Sequence, residues 1–447
     1  MKLRLIIVIL LLMATAASAA ELAFPIEKHE LKNGVMVLLI PDHSAPTVTV
    51  QVWYKTGSKN EYPGITGISH LFEHMMFKGT KKYPKEEFDR LVYGSGGINN
   101  AWTSFDNTTF YEVMPSEKLG IALALESDRG RNLQINDENL KSERNVVINE
   151  RLWRYDNSPF GAMYEQLFNN AFVAHPYHWL PIGFRSDIDS ITLAECLNYY
   201  KIHYAPNNSF LVIAGDIDPV AAMKEIEQYY GPLQSEPPQP RVTTVEPVQQ
   251  GEKRIDFHKQ AQLPAIMAGY KIPEGKDPDI VPLQVAGKVL FDGESSRLYH
   301  RLVYEEQKAV FVQGAAMVLH DPSIFYVAAQ AAPKVDIEEV KKEIFEEIDK
   351  LKTQPISDEE LQKAKNQMES DFIMGLQSNE GRASEVGSYQ IDTDDYANIY
   401  KYPDKIQAVT ADEVMKAAAK YLTENGRTVI NLIPEKPKAP QAATTGK

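Results

Sequence analysis

Two histidines and a glutamate interrupt the apolar run SHLFEHMMFKG, which covers residues 69–79. On a helix, His70 and His74 lie one turn apart on the same face, and two imidazoles placed in this way can bind one zinc ion. Glu73 projects beside them, where it can hold a water molecule against that ion. The alternative is a helix with two surface histidines, which fits poorly because the other residues of the run are large and apolar.

A catalytic zinc site needs a third protein ligand, and a helical pattern over residues 136–155 can supply it. Spacings of three and four place five residues on one stripe of that helix: Leu140, Glu143, Val147, Glu150 and Arg154. Leu140 and Val147 indicate that the stripe faces inward, where an ionised, unpaired carboxylate would be strongly unfavourable. A metal ion would compensate Glu143 or Glu150, and the spacing does not choose between them. The alternative is a pair of salt-bridged surface acids.

Strands and helices in mixed order must position these residues. Residues 34–58 predict two strands around a turn, residues 94–115 predict a glycine loop leading into two strands, and residues 207–218 predict a short buried strand. Further helical patterns cover residues 116–131 and 191–203. Residues 232–252 are rich in proline and glutamine, a composition typical of a linker.

The chain repeats itself weakly beyond this linker. Tyr54 and Lys55 match Tyr270 and Lys271 in a similar segment 216 residues later, and the strand NNSFLVIAG resembles NGRTVINLIP at an offset of 217. Two matches at nearly one offset predict a duplicated domain, although the second copy has no counterpart of the histidine pair. We expect an N-terminal zinc-binding domain over residues 21–231, a C-terminal domain over residues 253–434 and a disordered tail over residues 435–447.

Residues 1–20 have the pattern of a secretory signal peptide. Lys2 and Arg4 precede an apolar run, and the small residues that follow fit cleavage after either Ala19 or Ala20. The alternative is a retained anchor, but the run is short for a membrane span. We therefore expect an exported protein, in a bacterial periplasm, with no membrane attachment after cleavage.

Composition excludes several other classes of protein. The formal net charge of −14 argues against nucleic acid or an anionic membrane as a partner. Cys196 is the one cysteine in the sequence, so an internal disulfide and a thiolate metal cluster are both excluded. The surrounding helical pattern favours a small buried apolar role for Cys196 over that of a nucleophile.

The histidine motif, followed 76 positions later by Glu150, resembles the pitrilysin or insulinase-like family of zinc metallopeptidases, which are inverzincins. The resemblance implies that His70, His74 and Glu150 bind one zinc ion per chain. It also implies that Glu73 is the general base and that Glu143 supports the ligands. The fold it implies is α+β, with two duplicated α/β-roll domains, each a mostly antiparallel sheet packed with helices, forming half of a clamshell.

Two further segments resemble substrate-binding parts of that family. The segment NNAWTSFDNTTFYEVM is similar to an edge strand that receives substrate, where Asn100 would contact the peptide backbone; the alternative is a turn cap. The segment SSRLYHRLVYEE places Arg297 and Tyr304 two helical turns apart, like a pair that reaches the substrate carbonyl and the developing oxyanion. Without the resemblance these two would be ordinary surface residues.

The chain length resembles the short bacterial type of this family, related to the mitochondrial processing peptidase, in which two two-domain subunits enclose a chamber. The implied function is a zinc-dependent endopeptidase acting on peptides or unfolded segments, as a homodimer or as a heterodimer with a related subunit. One alternative is a non-catalytic or weakly catalytic assembly or chaperone-like subunit, which the intact motif disfavours. Another is zinc storage, which a total of 10 histidines disfavours.

Overall fold

The computed structural model describes residues 24–435. The predicted signal peptide lies outside this range, as does the predicted tail except for Glu435, which ends the last strand instead of starting a disordered segment. Each of two sheets is packed with helices, and the resulting units are called the first and second domains. The boundaries predicted for them stay predictions.

The first domain contains six strands: β1 (Glu27–Glu30), β2 (Met36–Pro41), β3 (Thr47–Tyr54), β4 (Ile98–Thr103), β5 (Thr108–Pro115) and β6 (Ser209–Gly215). Its helices are α1 (Ile68–Met75), α2 (Lys85–Gly94), α3 (Leu119–Asn132), α4 (Asp137–Arg151), α5 (Pro159–Ala171), α6 (Arg185–Ser190), α7 (Leu193–His203) and α8 (Pro219–Tyr230). The predicted strand pairs and the three predicted helices are therefore confirmed, within a few residues at their ends.

The second domain contains five strands: β7 (Lys253–Gln260), β8 (Ala265–Ile272), β9 (Ala309–Ala316), β10 (Ser323–Ala331) and β11 (Arg427–Glu435). Its helices are α9 (Ile280–Phe291), α10 (Ile337–Thr353), α11 (Asp358–Gly375), α12 (Asn379–Thr393), α13 (Asn398–Ala408) and α14 (Ala411–Tyr421). Within the described range, no helix is long and apolar enough to cross a membrane.

Sheet topology confirms the predicted duplication and the α+β class. The first sheet has the order β1-β2-β6-β3-β5-β4 and the second has the order β7-β11-β8-β10-β9. Apart from β1, each strand of the first sheet has a counterpart in the second. The pairs β2/β6 and β7/β11 are parallel, whereas the remaining pairs are antiparallel. Each sheet is thus mostly antiparallel, as expected.

The two domains exchange helices. Helix α5 of the first domain packs on β7, β8 and β11 of the second sheet, while α12 of the second domain packs on β3 and β6 of the first. Strand β3, TVTVQVWY, shows that both faces of the first sheet are covered by helices, because every residue of the strand after Thr47 is buried. Val50 belongs to the core shared with α1 and α3, whereas Trp53 lies in the cluster covered by α12. The strand also buries the polar residue Gln51, whose side-chain amide donates hydrogen bonds to Glu380 O and Ser384 Oγ on α12.

The segment between the domains is attached to the first domain. Residues 233–252 contain neither helix nor strand, and the linker expected over residues 232–252 stays a prediction. The carboxylate of Glu246 accepts hydrogen bonds from the backbone N–H groups of Val173, Ala174 and His175 at 2.9–3.1 Å. The segment therefore runs along a defined path in this structure.

The contact between α12 and the first sheet leads to a test. Gly387 lies against the indole of Trp53, and a Cβ atom at this position would overlap the ring. Gly387→Ala should therefore lower the free energy of unfolding by about 1–3 kcal/mol. Denaturant unfolding followed by tryptophan fluorescence measures the change. Gly94→Ala on α2 is the control, because a Cβ there meets nothing within 4 Å, and equal midpoints for the two variants would contradict the close packing.

Candidate metal centre

Helix α1 carries the histidine motif into the first domain. Leu71, Phe72 and Met75 are fully buried and hold the helix on the core, which explains the apolar residues of the motif. The helix begins after Gly67, which has a φ of +89°, and a 3-10 turn follows it as far as Lys78. His70 is also buried, with 8% of its surface exposed, so the surface-histidine alternative is wrong for this residue.

Helix α4 brings the acidic stripe against α1. The side chain of Asn136 caps its start by accepting the N–H of Asn139. Leu140 and Val147 lie in the core, which confirms that the stripe faces inward. The α-helix ends at Arg151, and a π-helical turn, Leu152–Asp156, begins two residues after Glu150. Such turns often lie at functional sites.

Three ligand atoms converge between the two helices. Glu150 Oε2 lies 3.3 Å from His74 Nε2 and 3.6 Å from His70 Nε2, and the three groups lie within 4.8 Å of one another. Zinc bonds of about 2.0–2.2 Å in a tetrahedron place ligand atoms about 3.3–3.6 Å apart. Two imidazole nitrogens and one carboxylate oxygen are also a donor set that zinc accepts. The residues present therefore fit a zinc ion.

Glu143 lies beside this cluster and not within it. Its Oε2 atom is 3.9 Å from His74 Nδ1, and its Oε1 atom is 2.6 Å from the ammonium of Lys78. The geometry thus separates Glu150 from Glu143, which the spacing in sequence could not do. Lys78 was not singled out from the sequence, although its position one turn after His74 in the same motif was a usable signal.

Two more side chains orient the acids of the cluster. Arg154 Nη1 lies 3.1 Å from Glu150 Oε1, which leaves the other oxygen of Glu150 directed at the histidines. Thr103, the last residue of β4, donates a hydrogen bond of 2.6 Å to Glu73 Oε2. Nothing in the sequence marked Thr103, because its contact depends on how β4 packs beside α1.

Burial and neighbouring charges shift the protonation of the cluster. Burial, together with the charge of His74, lowers the pKa of His70 to about 4, so His70 is neutral near pH 7, as a metal ligand must be. Hydrogen bonding to His74 lowers the pKa of Glu150. Burial raises the pKa of Glu73, which favours a carboxyl that exchanges protons over one that stays ionised.

Asn100 lies on the free edge of the first sheet. Among the described residues, β4 pairs with β5 alone, so its other edge has no strand beside it. Asn100 is exposed, and its Oδ1 atom accepts the backbone N–H of Ala101 at 2.9 Å. Side chains alternate along a strand, so Asn100 and Thr103 point to opposite faces. A substrate contact by Asn100 stays a prediction.

Arg297 and Tyr304 differ from expectation in their local structure. The segment Tyr299–Glu305 is π-helical, and its wider turns mean that seven residues do not make two α-helical turns. The prediction that both residues lie on one face two turns apart is therefore wrong. Arg297 forms a two-pronged ion pair with Glu360 at 2.6 and 2.8 Å, whereas Tyr304 is 70% exposed. Their proposed contacts with substrate stay a prediction.

Glu143 provides a test of how the metal ligands are supported. Glu143→Gln removes the charge that faces both His74 and Lys78, and we expect zinc affinity to fall by about 10–100-fold, as is typical when such outer partners are lost. Competition with a chromogenic chelator measures the affinity without any substrate. Glu138→Gln is the control, because Glu138 is exposed on the same helix. Wild-type affinity in Glu143→Gln would show that this carboxylate does not support the site.

Comparison with known proteins identifies two family models and several relatives that match this chain. Residues 36–178 match the family described as "Insulinase (Peptidase family M16)", and residues 190–368 match "Peptidase M16 inactive domain". A protein named zinc protease PqqE from Helicobacter pylori is 33% identical over 430 residues, covering 95% of this chain and 97% of that protein. A probable mitochondrial-processing peptidase subunit beta from Arabidopsis thaliana is 25% identical over 404 residues, covering 88% of this chain and 75% of that protein.

Solved structures show the same fold. A protease from Helicobacter pylori superimposes with a TM-score of 0.89 at 33% identity, covering 92% of this chain and all of that one. The periplasmic protease PqqL from Escherichia coli superimposes with a TM-score of 0.76 at 17% identity, covering 94% of this chain and 50% of that one. With its two matching domains and a relative that shares a third of its residues over nearly the whole length, this chain belongs to peptidase family M16.

Proposed function

We propose that this protein is a zinc-dependent endopeptidase in which His70, His74 and Glu150 bind the metal and Glu73 is the general base. The observation that carries the proposal is the convergence of the three ligand atoms within 4.8 Å, two of them on α1, the helix that also carries Glu73, and the third on α4. Relatives named zinc proteases support it. Zinc bound there would polarise a peptide carbonyl and make its bound water more acidic.

Glu73 moves the proton in this mechanism. Thr103 holds one oxygen of its carboxylate, and the other is free to accept a proton from the attacking water. The same carboxyl then gives that proton to the nitrogen of the leaving amine. This step regenerates the Glu73 carboxylate for the next turnover. The raised pKa of Glu73, caused by burial, suits a group that takes up and gives back one proton in each cycle.

The free edge of β4 suits the binding of an extended peptide. A strand added there would hydrogen-bond to the open backbone of β4 next to Thr103, and hence next to Glu73. Asn100 on the same strand would contact the substrate backbone. Recognition through backbone groups admits many sequences but requires an unfolded segment, so the substrate class is peptides and unfolded chains.

A second two-domain subunit would complete the enclosure. In its fold, the chain corresponds to one half of PqqL. The separately solved first half of that protease also superimposes on this chain, and the match covers 93% of this chain. We infer that this chain forms half of a clamshell, as a homodimer or with a related subunit, so that Arg297 and Tyr304 face the metal centre of the partner. Together with the signal-like N-terminus, the comparison with the periplasmic PqqL supports export to a periplasm.

Metal removal tests the proposed function. The purified protein is incubated with a mixed library of unstructured peptides, with chelator, without it, and after zinc is restored, while native mass spectrometry measures the assembly. We expect cleavage that is lost with chelator and restored by zinc. A folded, zinc-loaded assembly that cuts no peptide would instead support a non-catalytic assembly or chaperone-like subunit, and cleavage by metal-free protein would refute the mechanism.

A further inference from the structure

A short segment contacts both helices of the metal centre. It comprises residues 182–191, includes α6, and is called the bracket. Helix α1 begins directly against it, because a Cβ atom on Gly67 would lie 2.7 Å from the carbonyl oxygen of Ile182. Gly67 and Gly183 both have positive φ, of +89° and +72°, so their backbones meet with no side chain between them. The start of α1 therefore rests on the bracket.

Asp187 ties the bracket to the turn that precedes α1. Its Oδ2 atom accepts three hydrogen bonds, from Gly64 N at 2.9 Å, Thr66 N at 3.3 Å and Thr66 Oγ1 at 2.7 Å. The hydroxyl oxygen of Thr66 in turn accepts the backbone N–H of Phe184 at 2.9 Å. One carboxylate oxygen thus fixes the path of the chain into the helix that carries His70 and His74.

Two arginines tie the bracket to α4. Arg151 Nη1 donates to the carbonyl oxygen of Gly183 at 2.6 Å, and Arg144 Nε donates to that of Ile188 at 2.9 Å. Arg151 is 6% exposed and follows Glu150 directly in the chain. The guanidinium of Arg151 also binds Glu165 on α5, so its orientation is fixed from two sides. Gly183 therefore contacts the start of α1 through its Cα atom and Arg151 of α4 through its carbonyl oxygen.

We propose that the bracket sets the separation between the helix that carries His70 and His74 and the helix that carries Glu150, with Asp187 and Arg151 as positioning residues. The proposal rests on the metal site of the proposed function. None of these groups contacts the ligand atoms, so the bracket acts through the placement of whole helices. Metal–ligand bonds tolerate errors of only about 0.2 Å, and outer partners typically change metal affinity by about 10–100-fold.

Variants of Asp187 test the proposal through metal binding alone. Asp187→Ala removes all three hydrogen bonds, and we expect zinc affinity to fall at least about tenfold. Asp187→Asn keeps an acceptor oxygen and should therefore retain most of the zinc affinity that Asp187→Ala loses. Asp189→Ala is the matched control, because Asp189 is exposed on the same helix and, among residues 24–435, pairs with Arg185 alone. The visible spectrum of the cobalt-substituted protein reports the coordination geometry and should change in Asp187→Ala.

The outcomes separate positioning from general stability. Weaker metal binding and an altered cobalt spectrum in Asp187→Ala, restored by asparagine, would support the bracket. Arg151→Lys should also weaken zinc binding, because lysine cannot bind Gly183 and Glu165 with one planar fork. Wild-type affinity and spectrum in Asp187→Ala would overturn the proposal, even if the metal-free variant melts at a lower temperature. A wild-type protein that binds zinc and cuts no peptide would refute the proposed function and leave the bracket standing.

Discussion

Glu73→Gln is expected to keep zinc and to lose peptide hydrolysis, with kcat falling by about 10²–10⁴-fold. Glutamine has nearly the shape of glutamate, and its amide oxygen can still accept the hydrogen bond of Thr103. An amide cannot take a proton from water near neutral pH, so the proton transfer is lost while the helix and the metal ligands stay in place. Steady-state kinetics on a fluorogenic peptide, together with the zinc content of the same sample, measure both quantities.

The control for this experiment is Glu86→Gln. Glu86 is exposed on α2, so its substitution should leave kcat unchanged. A second comparison is Thr103→Val, which removes the donor to Glu73 but leaves the carboxyl, and which should lower kcat by less than Glu73→Gln does. Full activity of zinc-loaded Glu73→Gln would refute the assignment of the base. Loss of zinc from that variant would show that Glu73 contributes to metal binding instead.

The largest expected effect on stability is that of Arg129→Met. Arg129 is 1% exposed and lies between Glu112 and Glu126, which are equally buried. Its Nε atom donates to Glu126 at 3.0 Å, and its guanidinium lies over the ring of Phe110, 4.6 Å from the centroid. Removing the cation leaves two buried carboxyls without compensation, and we expect the free energy of unfolding to fall by about 3–5 kcal/mol. Urea unfolding of the metal-free protein measures the change.

Arg90→Met is the matched control for this charge removal. Arg90 pairs with Glu87 through two short hydrogen bonds, yet the two side chains are 67% and 39% exposed. Exposed ion pairs contribute little to stability because water and salt screen them, so this variant should unfold close to the wild type. Equal losses in the two arginine variants would show that the burial of the Arg129 cluster has no energetic consequence.

The sequence marked the residues of the proposed metal site more clearly than it marked their surroundings. Helical periodicity placed His70 beside His74, and it placed Glu143 and Glu150 on an inward stripe. Periodicity gives the face of a helix but not its position along a neighbouring helix, so spacing alone left both acids as candidates. The family resemblance favoured Glu150, and in the structure Glu150 is the acid that lies with the two histidines. The contact from Thr103 depends on long-range packing, so no local pattern reveals it.

The less predictable features depend on hydrogen-bond patterns and pairings that leave no periodic signal. A π-helical segment has the same residue types as an α-helix, and this is why Tyr304 does not lie where a spacing of seven suggests. The duplication was visible as two weak matches at one offset, and the common strand order confirms it. The exchange of α5 and α12 was not visible, because an amphipathic helix does not show which sheet it covers.

This exchange has a consequence for the origin of the chain. A protein made of one repeat would have kept a helix with no sheet beneath it and a sheet with one apolar face open to water. In a dimer of two identical copies, the helix of each copy would pack on the sheet of the other, so both the helix and the apolar face of the sheet would be buried. A fusion of two such copies would preserve the intertwined arrangement, and a copy without the histidine pair would still cover the sheet of the other with its helix.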